Sequence, residues 1–314
     1  MTTKVLIVFY DAHEYVARLQ KRFPAVEFHA AHHGEEAKGV IADVDVIMGL
    51  GHHIPNTLIA AAPKLKWVQA LTTGTETLTA PGVLPKHVIL TSTRGIHGPQ
   101  MSELAFLDMI ALARDFRRML RNQAEAKWDQ WNQPILDGKT VVIVGLGLLS
   151  EHLAERAKLF GMYVIGVSSG RRQAPHCDEV VSRDELVKVA ARADFLMLLV
   201  PYAPETHHLI NRNVLAAMKP SAFLINLARG GVLDEAALIE HLRAGKIAGA
   251  ALDVFSPQPL PPDSPLWRMA NVIITPNVGG RSNVFVEQTL TVIEPNLQAF
   301  VDGRLKELRN VVPH

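Results

Sequence analysis

A single cysteine, Cys177, stands among 314 residues. That excludes an internal disulfide framework and suits a reducing cytoplasm. Charge of one sign is not in excess either. The formal net charge is +1, so no field marks the surface for nucleic acid or an anionic membrane. Long hydrophobic runs are missing. The first apolar run, Val5-Leu6-Ile7-Val8-Phe9, is too short to span a bilayer and has no signal-peptide cleavage region after it. The protein is therefore expected in the cytoplasm. Low-complexity tracts and repeats of solenoid period are absent. Histidine is plentiful, at 14, but the spacings of metal sites are not there: no His-Glu-x-x-His and no His–Cys pattern. The adjacent pairs His32-His33, His52-His53 and His207-His208 would point to opposite faces of a strand and chelate one ion poorly. They read as solvated or hydrogen-bonded side chains, and no metal is expected.

What is present is ordinary globular composition, 48% apolar and 20% charged, at a length where a single core stops growing and two domains become the default. Short apolar runs alternate with amphipathic stretches. Residues 5–9, 44–48, 67–70 and 88–91 read as strands, with helices over 13–23 and 56–62. A long helix is expected from about Gly98 to Trp128. Its Leu104, Leu107, Met109, Ile110, Leu112 and Ala113 keep helical spacing. Arg114, Arg117, Arg118 and Arg121 lie on another face, read as solvated. A second series follows: strands over 141–144, 163–167, 195–200, 223–226, 248–252 and 272–275, with helices over 151–160, 183–193, 213–218 and 234–244. A last helix is expected over 284–302. The Pro-rich stretch 257–262 reads as a loop, because strand-type sequence continues beyond it. This βαβ rhythm predicts an α/β protein with parallel, doubly wound sheets covered on both faces, five or six strands forming the second one.

The second series opens with the run Val141-Val142-Ile143-Val144-Gly145-Leu146-Gly147-Leu148-Leu149-Ser150, a strand feeding a helix. The first glycine permits a tight turn, and the second lets backbone N–H groups approach a pyrophosphate at the helix N-terminus. Ser150 stands where Gly or Ala is usual, a weaker fit. The end of the next strand selects the dinucleotide. An acidic residue there binds the ribose 2′-hydroxyl of NAD. Here the sequence is Ser168-Ser169-Gly170-Arg171-Arg172, hydroxyls and guanidinium groups that suit the 2′-phosphate of NADP. NADP is favoured, with NAD as the alternative.

Further motifs are Gly95-Ile96-His97 with Ser102-Glu103, Leu199-Val200-Pro201 with Thr206 and Leu209-Ile210, and Ile225-Asn226-Leu227-Ala228-Arg229-Gly230-Gly231. Next come Gly249-Ala250-Ala251-Leu252-Asp253-Val254-Phe255 and Pro265-Leu266-Trp267. Over essentially its whole length the chain resembles the D-2-hydroxyacid dehydrogenases, the family of phosphoglycerate, glyoxylate/hydroxypyruvate and formate dehydrogenases. The resemblance implies two Rossmann-like domains. A substrate domain of residues 1–97 and 285–314 would receive a dinucleotide domain of residues 98–284 as an insert, and the long helix would build a homodimer. It implies that Arg229 holds the carboxylate and carbonyl oxygen of a 2-oxo acid and stabilises developing alkoxide charge. Backbone amides of Thr73-Gly74-Thr75 would grip the carboxylate. Asp253 would hold the nicotinamide carboxamide. Val200, Pro201, Thr206, Ala228 and Arg229 would line the cofactor.

Two expected residues are replaced. The family's Glu falls at Gln258 and its His at Asn277, in Thr275-Pro276-Asn277-Val278-Gly279-Gly280. Formate dehydrogenases also carry Gln at the first position but keep the His. The His supplies the proton for the new hydroxyl, and the Glu raises its pKa and fixes its ring. Asn277 can hydrogen-bond a carbonyl but has no titratable proton, and a carboxylate with no imidazole beside it is a buried charge without a partner. The two changes thus form one altered site. Three readings follow. Hydride transfer to a 2-oxo acid, or from a 2-hydroxy acid, would exchange its proton with His97, His52, His53 or water. A formate-like oxidation needs no proton transfer. In the third reading the protein is a dinucleotide- and carboxylate-binding protein that has lost catalysis. The first two together are favoured.

Overall fold

The computed structural model describes residues 2–314. The chain forms two compact units, Met1–Ile96 with Ser282–His314, and His97–Arg281. The crossings fall at His97 and Ser282, where the sequence reading put them at 98 and 285. His97 immediately precedes the next helix, and its side chain makes no capping bond there.

The discontinuous unit carries a five-stranded parallel sheet: β1 Lys4–Val8, β2 Glu27–Ala31, β3 Val46–Gly49, β4 Trp67–Ala70 and β5 Ile89–Ser92, ordered β2-β1-β3-β4-β5. β2 was not expected. Its Glu-Phe-His-Ala-Ala sequence at the sheet edge is mostly half-buried, so it lacks the apolar run of the inner strands. Helices α1 Ala12–Arg22, α2 Asn56–Ala60 and α3 Glu76–Thr79 connect the strands.

The C-terminal segment returns to this sheet through buried polar bonds. Trp67 Nε1 donates to Thr91 Oγ1 at 2.8 Å, and Thr91 Oγ1 donates to Gln69 Oε1 at 2.8 Å. Asn296 Nδ2 bonds Gln69 Oε1 and Arg309 O, both at 3.2 Å. A satisfied network of this kind fixes one arrangement, because any partner removed leaves a buried dipole. The tail also pairs with β5, Val312 N–H donating to Leu90 O at 2.8 Å.

The inserted unit begins with α4 Gly98–Ala113 and α5 Phe116–Ala124. The single long helix expected here is broken. Asp115 takes a left-handed φ of 50° and its side chain accepts from Arg118 N–H, which caps a second helix. The arginines beyond the break are not simply solvated. Arg117 reaches the carbonyls of Met269 and Val272. Arg118 pairs with Asp129 at 2.6 Å and stacks over Trp131. Of the apolar residues, Met109 and Ala113 are buried, while Leu107 and Ile110 are exposed.

Seven parallel strands follow: β6 Thr140–Val144, β7 Tyr163–Ser168, β8 Glu179–Ser182, β9 Phe195–Leu198, β10 Phe223–Asn226, β11 Gly249–Leu252 and β12 Val272–Ile274. Their order is β12-β11-β10-β9-β6-β7-β8, one strand more than expected. The extra one is β8, half-buried along its whole length at the sheet edge. Helices α6 Leu148–Leu159, α7 Leu186–Ala190, α8 Arg212–Ala217 and α9 Glu235–Arg243 cover the faces, and α10 Phe285–Val301 closes the other unit. The helix expected over 183–193 is a 3-10 turn, Arg183–Glu185, leading into the short α7. The inner strands are nearly all buried, as a doubly covered parallel sheet requires. Among the described residues no helix is long and apolar enough to cross a membrane.

Candidate functional site

In a parallel sheet every strand ends on the same edge. Register aligns Val144 of β6 with Val167 of β7 and Leu198 of β9, and Asn226 of β10 with Leu198 and Leu252. Five segments far apart in sequence therefore leave one edge: the Gly145 loop, Ser168–Arg172, Val200–Thr206, Ala228–Arg229 and Asp253. The strand order reverses between β6 and β9, and ligands of open α/β sheets bind outside the carboxyl ends at such a reversal.

At the Gly145 loop the two glycines answer to different demands. Gly145 has φ +99°, and a Cβ there would sit 2.6 Å from the backbone N and Cα of Val200; the fold itself requires glycine. At Gly147 an added Cβ meets nothing within 4 Å. No neighbour in the chain demands glycine there, so its bareness serves whatever approaches the N-terminus of α6. Ser150 is well suited to the loop. Its hydroxyl donates to Gly145 O at 2.5 Å and accepts from Gly147 N–H at 3.4 Å, tying the turn shut.

Beyond β7, Ser168 Oγ accepts from the N–H groups of Gly170 and Arg171. Arg172 folds back on the carbonyls of Ser168, Ser169 and Arg171. Arg171 is not an open guanidinium: it bonds Glu151 Oε1 at 2.6 Å. Arg183, the residue after β8, reaches Ser169 Oγ at 3.5 Å.

Along the same edge, Thr206 is buried. Its hydroxyl accepts from Ala203 N–H and donates to Pro201 O at 2.8 Å, so it shapes the Val200–Thr206 loop. Asn226, fully buried, accepts from Ala228 N–H at 3.0 Å and donates to Arg229 O at 3.2 Å. This clamps the backbone that carries Arg229, whose exposed side chain leans on Ala228 O. Asp253 is buried. It accepts from Thr275 Oγ1 at 2.6 Å and from the N–H groups of Val278 and Gly279 at 2.9 and 3.0 Å. A carboxylate has about four lone-pair sites, so one acceptor position remains.

Gln258 and Asn277 are both exposed, and their side chains make no hydrogen bond to each other. Asn277 has φ 54°, a left-handed conformation that Asn and His tolerate better than most residues. Its N–H donates to Asp253 O at 2.9 Å. His97 is buried against Gly280, and burial lowers its pKa to about 4, so its ring is neutral at pH 7.

In the other unit, Thr72 Oγ1 donates to Gly74 O at 2.7 Å, shaping the turn that holds Thr73, Gly74 and Thr75 after β4. Gly51 lies against Thr77, whose Oγ1 is 2.5 Å from where a Cβ would be. The His52-His53 turn after β3 thus neighbours the Thr73–Thr75 loop. The His52 and His53 rings meet edge-on with centroids 4.4 Å apart. Both turns leave the carboxyl edge of that unit's sheet.

Residues 106–279 match the family model for the D-isomer specific 2-hydroxyacid dehydrogenase, NAD binding domain. The chain belongs to this family. It is 32% identical, over 98% of its length and 97% of the relative's, to glyoxylate/hydroxypyruvate reductase B of Pectobacterium carotovorum subsp. carotovorum. It is equally 32% identical to D-3-phosphoglycerate dehydrogenase of Methanocaldococcus jannaschii over 98% of this chain, but spans only 59% of that protein. Its structure resembles NADPH-dependent glyoxylate/hydroxypyruvate reductase from Sinorhizobium meliloti, solved with NADP and sulfate. There the TM-score is 0.85 at 29% identity, with 99% of this chain and 98% of the other covered.

Four side chains at or beside these strand ends have no role assigned by the sequence motifs. Asn226 carried a signal, a lone polar residue closing an apolar strand. Glu151 and Arg183 carried none, because only the fold brings them to Ser168–Arg172. Asp108, on α4, is 1% exposed with neither carboxylate oxygen hydrogen-bonded. Burial, reinforced by the charge of Asp253, raises its pKa to about 7.

Proposed function

We propose that this protein is an NADP(H)-dependent oxidoreductase that transfers hydride between the nicotinamide and a small 2-oxo or 2-hydroxy acid, using an altered proton-transfer site. The carrying observation is the shared carboxyl edge. The Gly145 loop at one strand end and the clamped Arg229 and Asp253 at two others stand on either side of the strand-order reversal. The unit His97–Arg281 is read as the cofactor domain. The discontinuous unit, with its Thr73–Thr75 and His52-His53 turns, is read as the substrate domain.

The open space at Gly147 and the α6 N-terminus fit a pyrophosphate. Gly145, Leu146, Gly147, Leu148 and Leu149 form that cradle, and Val200, Pro201 and Ala228 border it. Ser168, Ser169, Arg171 and Arg172 supply hydroxyls and positive charge for a 2′-phosphate, which favours NADP; the same cradle serves NAD without those contacts. The Sinorhizobium meliloti relative, NADPH-dependent by name, supports this choice.

When bound, the nicotinamide supplies or accepts the hydride. Asp253, its orientation locked by Thr275, Val278 and Gly279, turns its remaining acceptor site to the carboxamide. Arg229 neutralises the substrate's carboxylate and the oxygen that gains charge. Amides of Thr73, Gly74 and Thr75 hold the carboxylate. His97 is neutral at pH 7 and acts as a hydrogen-bonding ring rather than an acid. Exposed Asn277 orients a solvent proton donor at the substrate oxygen. Gln258, equally exposed, is a neutral side chain; at these solvated positions a carboxylate would not be a buried charge, so burial does not account for the paired change. A second reading has a specific observation behind it: Gln258 and Asn277 are exposed and not bonded to one another, as in a site relieved of catalysis.

The exposed apolar residues Leu107, Ile110, Phe116 and Leu120 of α4 and α5 favour a homodimer through this face.

The test is a panel of glyoxylate, hydroxypyruvate and other 2-oxo acids with NADPH. Turnover of at least one is expected. Micromolar NADPH binding with no turnover across the panel would favour the binding-protein reading instead.

A further inference from the structure

We propose that Glu151 and Arg183 set the cofactor preference of this enzyme: Arg183 is a third phosphate-binding arginine, and Glu151 is a built-in competitor that holds Arg171 and limits NADP affinity. The inference rests on the NADP reading above.

Strand register brings the two residues to the site. Ser168 of β7 pairs with Ser182 of β8, so the residues that follow, Ser169 and Arg183, leave the sheet side by side. Arg183 Nη2 lies 3.5 Å from Ser169 Oγ, and its side chain is half-buried. Glu151 approaches from the first turn of α6, one residue beyond the Ser150 that ties the glycine loop. It takes the Arg171 guanidinium at 2.6 Å, with side-chain exposures of 28% for the Glu and 40% for the Arg.

The chemistry follows from charge. A 2′-phosphate seated at Ser168-Ser169 would meet Arg171, Arg172 and Arg183. It would also meet the Glu151 carboxylate, which competes for Arg171 and repels the incoming dianion. A 2′-hydroxyl suffers neither penalty and can donate to Glu151. Glu151 therefore acts against NADP and in favour of NAD, while Arg183 acts the other way. A partly exposed pair of this kind contributes little by itself, so the effect of removing Glu151 is expected at about threefold to tenfold.

The test measures dissociation constants for NADPH and NADH by fluorescence titration, and for 2′,5′-ADP and 5′-ADP by calorimetry. The proteins are wild type, Glu151→Gln and Arg183→Ala. Glu151→Gln should bind NADPH and 2′,5′-ADP about threefold to tenfold tighter, and NADH equally or less well. Arg183→Ala should weaken NADPH and 2′,5′-ADP about tenfold, with NADH within twofold. Equal effects on both cofactors, or weaker NADPH binding by Glu151→Gln, overturn the inference alone. Wild-type protein that binds 2′,5′-ADP no tighter than 5′-ADP overturns the NADP reading and this inference with it.

Discussion

Replacing Asp108 with leucine should stabilise the protein, and by more as the pH rises. Asp108 faces the interior from α4, is 1% exposed, and has no hydrogen bond to either oxygen. The charge that bears on it is that of another acid. β11 ends at Asp253, itself anionic and committed to Thr275, Val278 and Gly279, and β10 ends at the neutral Asn226. Desolvation first and Asp253 second raise the Asp108 pKa from 3.8 to about 7. The sign follows from linkage. Between these two values the folded chain holds a proton that the unfolded chain has released. The carboxyl's contribution is therefore most favourable below pH 3.8 and is lost as pH climbs toward 7. At ~1.4 kcal/mol per pH unit, the penalty grows by about 2–3 kcal/mol between pH 5 and pH 8 and then levels off. His97 works in the opposite direction. Its pKa, lowered to about 4, makes the fold less stable as pH falls, but this cancels when variant and wild type are compared at each pH. Urea unfolding followed by tryptophan fluorescence at pH 5, 6, 7 and 8 measures the difference. A gain from Asp108→Leu that is constant across the series, or a loss that deepens toward pH 8, would refute the reasoning.

Arg171→Ala should raise the NADPH dissociation constant about tenfold and the NADH one far less; equal effects would remove the 2′-phosphate assignment. Arg229→Ala should lower kcat/KM for a 2-oxo acid by about 10²–10³ while NADPH binding in fluorescence titration stays within twofold. A large loss of cofactor affinity instead would make Arg229 chiefly a cofactor-lining residue. The pH profile of kcat/KM should show no inflection from His97 between about pH 5.5 and 8.5, since its pKa is lowered to about 4. An inflection near neutrality that vanishes in His97→Ala would restore it as the acid. Asn277→His combined with Gln258→Glu should raise turnover and introduce such an inflection; no change in either measurement would count against a site altered at these two positions.

The two sheets were legible wherever a strand is buried on both faces. Val141–Val144 and Phe223–Ile225 carry unbroken apolar runs because helices cover them above and below. The edge strands β2 and β8 were not legible, since Glu27–Ala31 and Glu179–Ser182 lie half-exposed and lose that pattern. Missing β8 also hid Arg183, whose place beside Ser169 exists only through strand register. The break at Asp115 was equally invisible. The apolar spacing runs across it, while a left-handed residue stabilised by its own cap ends one helix and starts another.

The sequence by itself determined the family, the dinucleotide loop and the identity of the residues at Gln258 and Asn277, because these are properties of local order: which residue follows which strand. Tertiary structure alone decided the electrostatics. Glu151 at Arg171, Asp253 near Asp108 and Gly280 against His97 are encounters between segments distant in the chain. Desolvation and charge pairing depend on distance in space, which no spacing along the sequence encodes.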